Sequence, residues 1–399
     1  MPDFRSEKFL REHIDSILAF YHPQVLDKKL GGFHQNFRDD GSVFAPGHKH
    51  LVSSTRMIFN YCRAFDNCIV TGRKADYKAL AEVGLQYLRE CHWDNTRRGY
   101  HWVLDNNQPA DQTNHCYGLA FVILALASCV KSGIGDVRDE LYFTWNLLNE
   151  KFWQSQQGLY ADEATADWRS LSDYRGQNAN MHCCEALLVA HCATGDSVFL
   201  NRAYNLTKTI AVNLANKSNG LIWEHFTEDL QIDWGYNRDD PKNLYRPWGF
   251  QPGHQTEWAK LLLLLYRVRP ESWMVQRAIE LFDHALKRCW DRNWGGILYG
   301  HAPDGSICDD DKYFWVQAES FAAAALLAKV TGDEQYWQWY DKIWQYSWEH
   351  FVDHNNGAWY RLLNCRNQRY SEEKSIAGAK CDYHTLGACW AVLDVISTE

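Results

Sequence analysis

One local pattern recurs six times along this chain and leaves little freedom for its fold. A glycine followed by aromatic and apolar residues alternating with polar ones occurs as GGFHQNF around Gly32, RGYHWVLD at Gly99, QGLYADE at Gly158, NGLIWEHF at Gly220, WGGILYGH at Gly296 and NGAWYRLL at Gly357. Successive glycines are 67, 59, 62, 76 and 61 residues apart. A period of this length marks an array of one repeated supersecondary unit. Six such units occupy all 399 residues, so residues 1–399 are expected to form one domain with no room for a second.

Inside each unit the glycine turn and its short strand-like run lead into a long apolar segment at helical spacing, such as TRMIFNYCRAFDNCIV or NHCYGLAFVILALASCV. Helices apolar nearly all round belong inside an assembly. Short turns close them: VTGR (70–73), SGIGD (132–136), ATGD (193–196) and VTGD (330–333). Glycine suits a left-handed C-cap and aspartate the next N-cap, so these are tight helix–helix connections. The segments that follow, such as DVRDELYFTWNLLNEKFW and DEQYWQWYDKIWQYSWEHF, carry one apolar stripe and one charged face. They read as an outer layer. Six inner helices alternating with six outer ones predict an all-α (α/α)6 toroid, with short β-containing loops on one face.

Composition narrows the function. The chain has 41 Lys+Arg against 50 Asp+Glu and no basic block, which argues against nucleic acid or an anionic membrane as partner. Its longest apolar stretch, Leu119 to Val130, is about half of the roughly 20 residues a bilayer span needs. The N-terminal MPDFRSEKFLREHIDSILAFYHP mixes charges into its apolar positions, unlike an export signal, so a cytoplasmic location is expected. Thirteen cysteines fall into no CxxC spacing, and Cys183, Cys184, Cys192 and Cys389 read as reduced, buried small hydrophobes. Aromatic residues make 15% of the chain, enough for a dense core and for flat faces on which sugar rings stack.

In a toroid the long excursions lie on one face and feed the N-terminal ends of the inner helices, where polar residues converge. Those ends read Arg56 in STRM, His115 and Tyr117 in NHCYG, His182 and Glu185 in NANMHCCEALL, His254 and Glu257 in PGHQTEWAKLLL, Trp315 and Glu319 in WVQAES, and His384 in CDYH. From Arg56 to His384 through His115, His182, His254 and Trp315 the steps are 59, 67, 72, 61 and 69, so the repeat period reappears in the polar residues. His191 and His284, alone on apolar helices, read as hydrogen-bonded core residues. Asn178 and Asn180 read as helix caps, with Asn180 also a candidate for substrate. The excursion 233–254, rich in Asp, Asn, Arg and Pro, reads as a lid or wall. Histidine and glutamate three apart share a helical face and could ligate a metal. Arg56 and an excess of imidazoles that serve directly as acids and bases near neutral pH favour a site without one.

Together YRGQNANMHCCEALL, PGHQTEWAKLLLLL, WVQAES followed by VTGD, STRM and CDYH resemble the N-acylglucosamine 2-epimerase superfamily over essentially the whole length. The likeness is greatest to its bacterial aldose–ketose isomerases. It implies an (α/α)6 barrel with no cofactor, acting on a monosaccharide by proton transfer through an enediolate. It assigns His254 and His384 as the acid/base pair, Arg56 to the sugar oxygens, and His182, Glu257 and Glu319 to holding or opening the ring. The substrate it suggests is mannose, converted to fructose, with lyxose as a second aldose. Members acting on disaccharides carry tryptophan where this chain has Asp382, so a platform for a second sugar is missing and Asp382 is expected to contact the monosaccharide instead. Lys380, close by, is left open as a contact for an anionic substituent.

The chemistry of the residues agrees with these roles. Removing the hydrogen from carbon 2 of an open-chain aldose needs a base at carbon and a cation at the oxygen where charge develops, and imidazole and guanidinium supply both. A 2-epimerase differs only in returning the proton to the opposite face of carbon 2. A glycoside hydrolase is the competing class; Glu185, Glu257 and Glu319 offer carboxyl pairs, but four histidines fit it poorly.

Overall fold

The computed structural model describes residues 1–68 and 71–397. Twelve α-helices follow one another among them: α1 (Glu7–Tyr21), α2 (Leu51–Asn67), α3 (Thr71–Tyr87), α4 (Cys116–Ser132), α5 (Arg138–Phe152), α6 (Gln177–Thr194), α7 (Ser197–Lys208), α8 (Pro252–Val268), α9 (Ser272–Cys289), α10 (Phe314–Thr331), α11 (Glu334–His350) and α12 (Tyr383–Ile396). Each even-numbered helix touches the next, and α12 returns to α2 to close an inner ring. The odd-numbered helices lie outside it; α1, from the start of the chain, packs on α12 from its end. This is the (α/α)6 toroid read from the repeat.

Burial follows the patterning. Along α10 every residue from Val316 to Ala328 is buried, which only an interior helix can satisfy. Along α9 the buried set is Met274, Ala278, Leu281, Phe282, Ala285, Leu286 and Cys289, one stripe at helical spacing. Each large side chain sealed there contributes about 1.5–3 kcal/mol. Gly133, Gly195 and Gly332 end α4, α6 and α10 in the left-handed conformation, and Asp196 and Asp333 accept backbone N–H bonds at the starts of α7 and α11, as the turn reading required. Among the described residues no helix is long and apolar enough to cross a membrane.

The excursions form a ring of short strands over one face. The strand just before an inner helix pairs antiparallel with the following excursion: His48–His50 with Val103–Asp105, Asn114–His115 with Glu163–Ala164, Arg175–Gly176 with His225–Phe226, and Lys312–Tyr313 with Leu362–Leu363. Glu373–Ser375, upstream of α12, pairs with Phe37–Arg38 and closes this second ring. The glycine turns share an anchor. Asp27, Asp94, Asp291 and Asp353 each accept two backbone N–H bonds within the turn. Three of the four also meet a buried lysine ammonium: Lys49 at 2.8 Å, Lys312 at 2.9 Å and Lys374 at 2.6 Å.

Some local expectations fail for identifiable reasons. At RGYHWVLD the left-handed residue is Arg98 rather than Gly99; glycine is needed at 99 because a Cβ there would lie 2.7 Å from the Asn114 side chain. Of the VTGR turn, Val70 lies outside the described residues and 71–73 already belong to α3. Cys183, Cys184 and Cys389 are buried as read, but Cys192 is exposed at the end of α6. Helix α6 starts from Gly176 without a side-chain cap, so neither Asn178 nor Asn180 caps it.

Candidate active site

Beneath the ring of strands a cavity of about 710 Å³ opens at the N-terminal ends of the inner helices. Its lining includes Arg56, His115, Tyr117, His182, His254, Glu257, Trp315 and His384, gathered from six segments far apart in sequence. They stand at two depths. His254 and His384 are the third and second residues of α8 and α12, and Trp315 is the second of α10, so these lie in the first turn. Arg56, His182, Glu257 and Glu319 are each the sixth residue of their helices, one turn further in. His115 precedes α4 altogether. The four histidines are therefore not at the equivalent positions that the repeat period suggested; the unequal excursions shift where each helix begins.

Three imidazoles have Nδ1 against a carboxylate: His254 on Glu224 at 2.9 Å, His384 on Glu319 at 2.7 Å and His182 on Glu185 at 3.2 Å. An ionised carboxylate only accepts, so Nδ1 carries the proton and the Nε2 lone pair is free to act as a base. The rings cluster. His182 and His384 are 6.2 Å apart between centroids, and Trp315 lies 5.1 Å from His254 and 5.6 Å from His384. Burial holds His182 down at about 4, and burial, then Arg56 and His182, holds His384 well below its usual value, so both are neutral at neutral pH.

Arg56 is set between aromatic faces, 4.4 Å over Phe121 and 4.9 Å over Tyr383, and donates to the Tyr117 hydroxyl at 2.9 Å. Among the described residues its buried Nε–H has no hydrogen-bond partner and no carboxylate ion-pairs with it. A guanidinium held in this way has a donor to offer an oxygen that gains charge. Glu257 is buried with neither oxygen hydrogen-bonded, its Oε1 4.0 Å from His182 Nδ1, and burial, then the Glu319 carboxylate, pushes it well above its ordinary range. It faces the cavity as a neutral acid. His115 stacks on Trp102 at 3.9 Å, and burial lowers it to about 4, making it a neutral part of the wall.

Four candidates do not line the cavity. Asn180 is spent on backbone, accepting from Tyr160 N–H and donating to Tyr160 and Gly176 carbonyls. Glu185 and Glu319 lie behind the histidines they hold. Asp382 starts α12 in the left-handed conformation, accepts from the Tyr21 hydroxyl at 2.6 Å and from Thr385 at 2.8 Å, and ion-pairs with Lys380. It fixes the helix that presents His384. Lys380 is itself fully buried in that pair and is not at the cavity. His191 and His284 are hydrogen-bonded away from it, but both are half-buried rather than in the core as read.

Other functional residues were missed. Glu224 belongs to NGLIWEHF, where alternation made it a strand residue, and nothing local marks it as the partner of a histidine thirty positions later. Lys260 sits within an apolar helix run, and its charge was the only signal. The 233–254 excursion is a wall: Tyr236, Leu244, Tyr245 and Arg246 line the cavity, Arg246 ion-pairs with Glu163 over the Tyr174 ring, and Lys242 meets Asp311 at 3.0 Å. Donor atoms of His182, Glu185 and Glu257 lie within 4.8 Å of one another, as do those of Glu257, Glu319 and His384. Lys260 reaches one carboxylate of each group, Glu319 at 2.5 Å and Glu185 at 3.5 Å.

The family model for N-acylglucosamine 2-epimerase (GlcNAc 2-epimerase) matches residues 31–388, and the chain belongs to that family. Within it, the chain is 52% identical over 397 residues, 99% of each chain, to the D-mannose isomerase of Marinomonas mediterranea. A crystal structure of D-mannose isomerase superposes with a TM-score of 0.96 at 52% identity over 99% of both chains. The cellobiose 2-epimerase of Spirochaeta thermophila has the same fold, with a TM-score of 0.83 at 21% identity over 98% of both.

Proposed function

We propose that this protein is an aldose–ketose isomerase that interconverts D-mannose and D-fructose, and D-lyxose and D-xylulose, with the whole chain 1–399 as one catalytic domain. The observation that carries the reading is the cavity itself: carboxylate-held imidazoles with free Nε2 atoms around a guanidinium that, among the described residues, no carboxylate neutralises. The 52% identical relative named D-mannose isomerase supports the substrate.

In this reading the sugar ring opens with proton transfer between the ring oxygen and the anomeric hydroxyl, served by Glu257 and His182. One imidazole of the His254–His384 pair then takes the proton from carbon 2, and the electron pair moves toward the carbonyl oxygen at carbon 1. Arg56 balances the charge that appears there. Returning the proton to carbon 1 on the same face of the cis-enediolate, with a hydroxyl proton passing from oxygen 2 to oxygen 1, gives the ketose. Trp315, beside both rings, offers a face for the carbon chain. No metal or cofactor takes part, a reading supported by Lys260 among the carboxylates. The partner is a monosaccharide, and the location is cytoplasmic, where the Cys116 and Cys183 thiols, 3.5 Å apart, stay reduced.

Incubation with mannose in deuterium oxide with EDTA, followed by NMR, tests this. Fructose carrying deuterium at carbon 1 is expected. Glucose labelled at carbon 2 makes the protein an epimerase, cleavage of an oligosaccharide makes it a hydrolase, and abolition of turnover by EDTA restores a metal.

A further inference from the structure

The mechanism above needs Glu319 and Glu185 ionised, yet both are buried, where a carboxylate tends to keep its proton. A protonated Glu319 would donate to His384 Nδ1, move that ring's own proton to Nε2 and leave it without a lone pair facing the sugar. We propose that Lys260, which does not line the cavity, is the positioning residue that sets the tautomer of His384 and His182 by holding their carboxylates in the charged form.

The geometry suits this task. Lys260 is the ninth residue of α8, one turn beneath Glu257, and is itself buried. Its ammonium reaches Glu319 on α10 at 2.5 Å while the other Glu319 oxygen holds His384; it reaches Glu185 on α6 at 3.5 Å while the other Glu185 oxygen meets His182. One cation thus serves two carboxylate–imidazole pairs from three inner helices. Glu257, on the same helix, is the third carboxylate near it. The other groups facing the pairs are Arg56 from α2, Tyr117 from α4, packed edge-on against His182 at 5.0 Å, His254 from the start of α8, and the Tyr383 hydroxyl from α12, which donates to Glu185 at 2.5 Å. Arg56 repels a proton on His384 but makes no ion pair with Glu319, so it does not replace Lys260. Burial opposes the charge on Lys260, but Glu319 and Glu185 keep it firmly protonated. Burial raises Glu319, with Lys260 the leading cause opposing it, while Glu185 is held below its ordinary range with Lys260 the leading favourable cause.

The inference rests on the isomerase reading for its catalytic meaning, but not for its test. In the wild-type protein, nitrogen-15 NMR of the histidine rings should show His384 and His182 protonated at Nδ1 and bare at Nε2 at neutral pH, whatever sugar is turned over. Lys260→Met should bring the Nε2–H tautomer or the imidazolium to neutral pH. In kcat/KM against pH its acid limb should move up by about 1 unit or more, the effect of removing a nearby charge. Lys260→Arg should restore both. An Nε2–H tautomer in the wild type overturns the inference even if the variants fail to fold. So does a Lys260→Met protein that loses activity equally at all pH values with its tautomers unchanged, since that is the behaviour of a packing defect. If the protein isomerises no sugar but the tautomers respond to Lys260, the isomerase reading falls and the electrostatic role stands.

Discussion

Glu224 accepts from His254 Nδ1 at 2.9 Å with one oxygen and from the Gln177 amide at 2.8 Å with the other. Glu224→Gln keeps the shape but can offer an N–H to the imidazole, which moves the ring proton to Nε2. Turnover should fall by about 100-fold or more, the scale of a misdirected acid/base group, while far-ultraviolet circular dichroism is unchanged. A mild loss would mean that His254 does not act through its Nε2. At this scale the sequence showed which imidazoles matter but not what orients them. Glu185 was legible because it shares a helix with His182. Glu319 was not legible as a partner because it comes from a different repeat than His384, and Glu224 because it stands thirty residues before His254 in a strand-like run with nothing local to mark it.

The glycine turns show how an element is fixed from outside itself. Asp353 accepts from Asn355 and Asn356 N–H in its turn, and Lys374, twenty-one residues on, reaches it at 2.6 Å with both side chains essentially dry. Lys374→Met should destabilise the protein by about 3–5 kcal/mol in urea unfolding, because it leaves a buried carboxylate without its cation. A loss below about 1 kcal/mol would equate the pair with a surface bridge. Asp353 is held at about 2, burial being overcome by Lys374 and the turn N–H groups. The turns were legible from their glycines and the helices from their apolar periodicity. The lysines were not, since a lone charge among strand residues carries no sign of where its partner lies.

For the molecule as a whole, enclosure within two rings leaves many imidazoles buried and neutral. Burial lowers His13, His92, His115 and His182 to about 4, whereas in the unfolded chain each returns to its ordinary value near 6.5. Between those values the unfolded state binds more protons than the folded one, so stability rises with pH across the window and falls as acid is added. The melting temperature should be flat near pH 7.5 and drop steadily from pH 6.5 toward 4. A flat profile there would show that these rings take up protons without unfolding.

The repeat period alone was enough for the toroid and for the face on which its site opens, because burying a helix on all sides or on one stripe is a local demand that composition at helical spacing already states. It also marked Arg56, His182, His254 and His384 as neighbours. Closure of the ring in space decided what that list could not: the two depths at which these side chains stand, the carboxylate each imidazole meets, the withdrawal of Asp382 and Asn180 into structural bonds, and the placing of Lys260 between Glu319 and Glu185. Charge and hydrogen bonding act over a few ångströms between residues tens to hundreds of positions apart, and that proximity exists only once the chain has come round to meet itself.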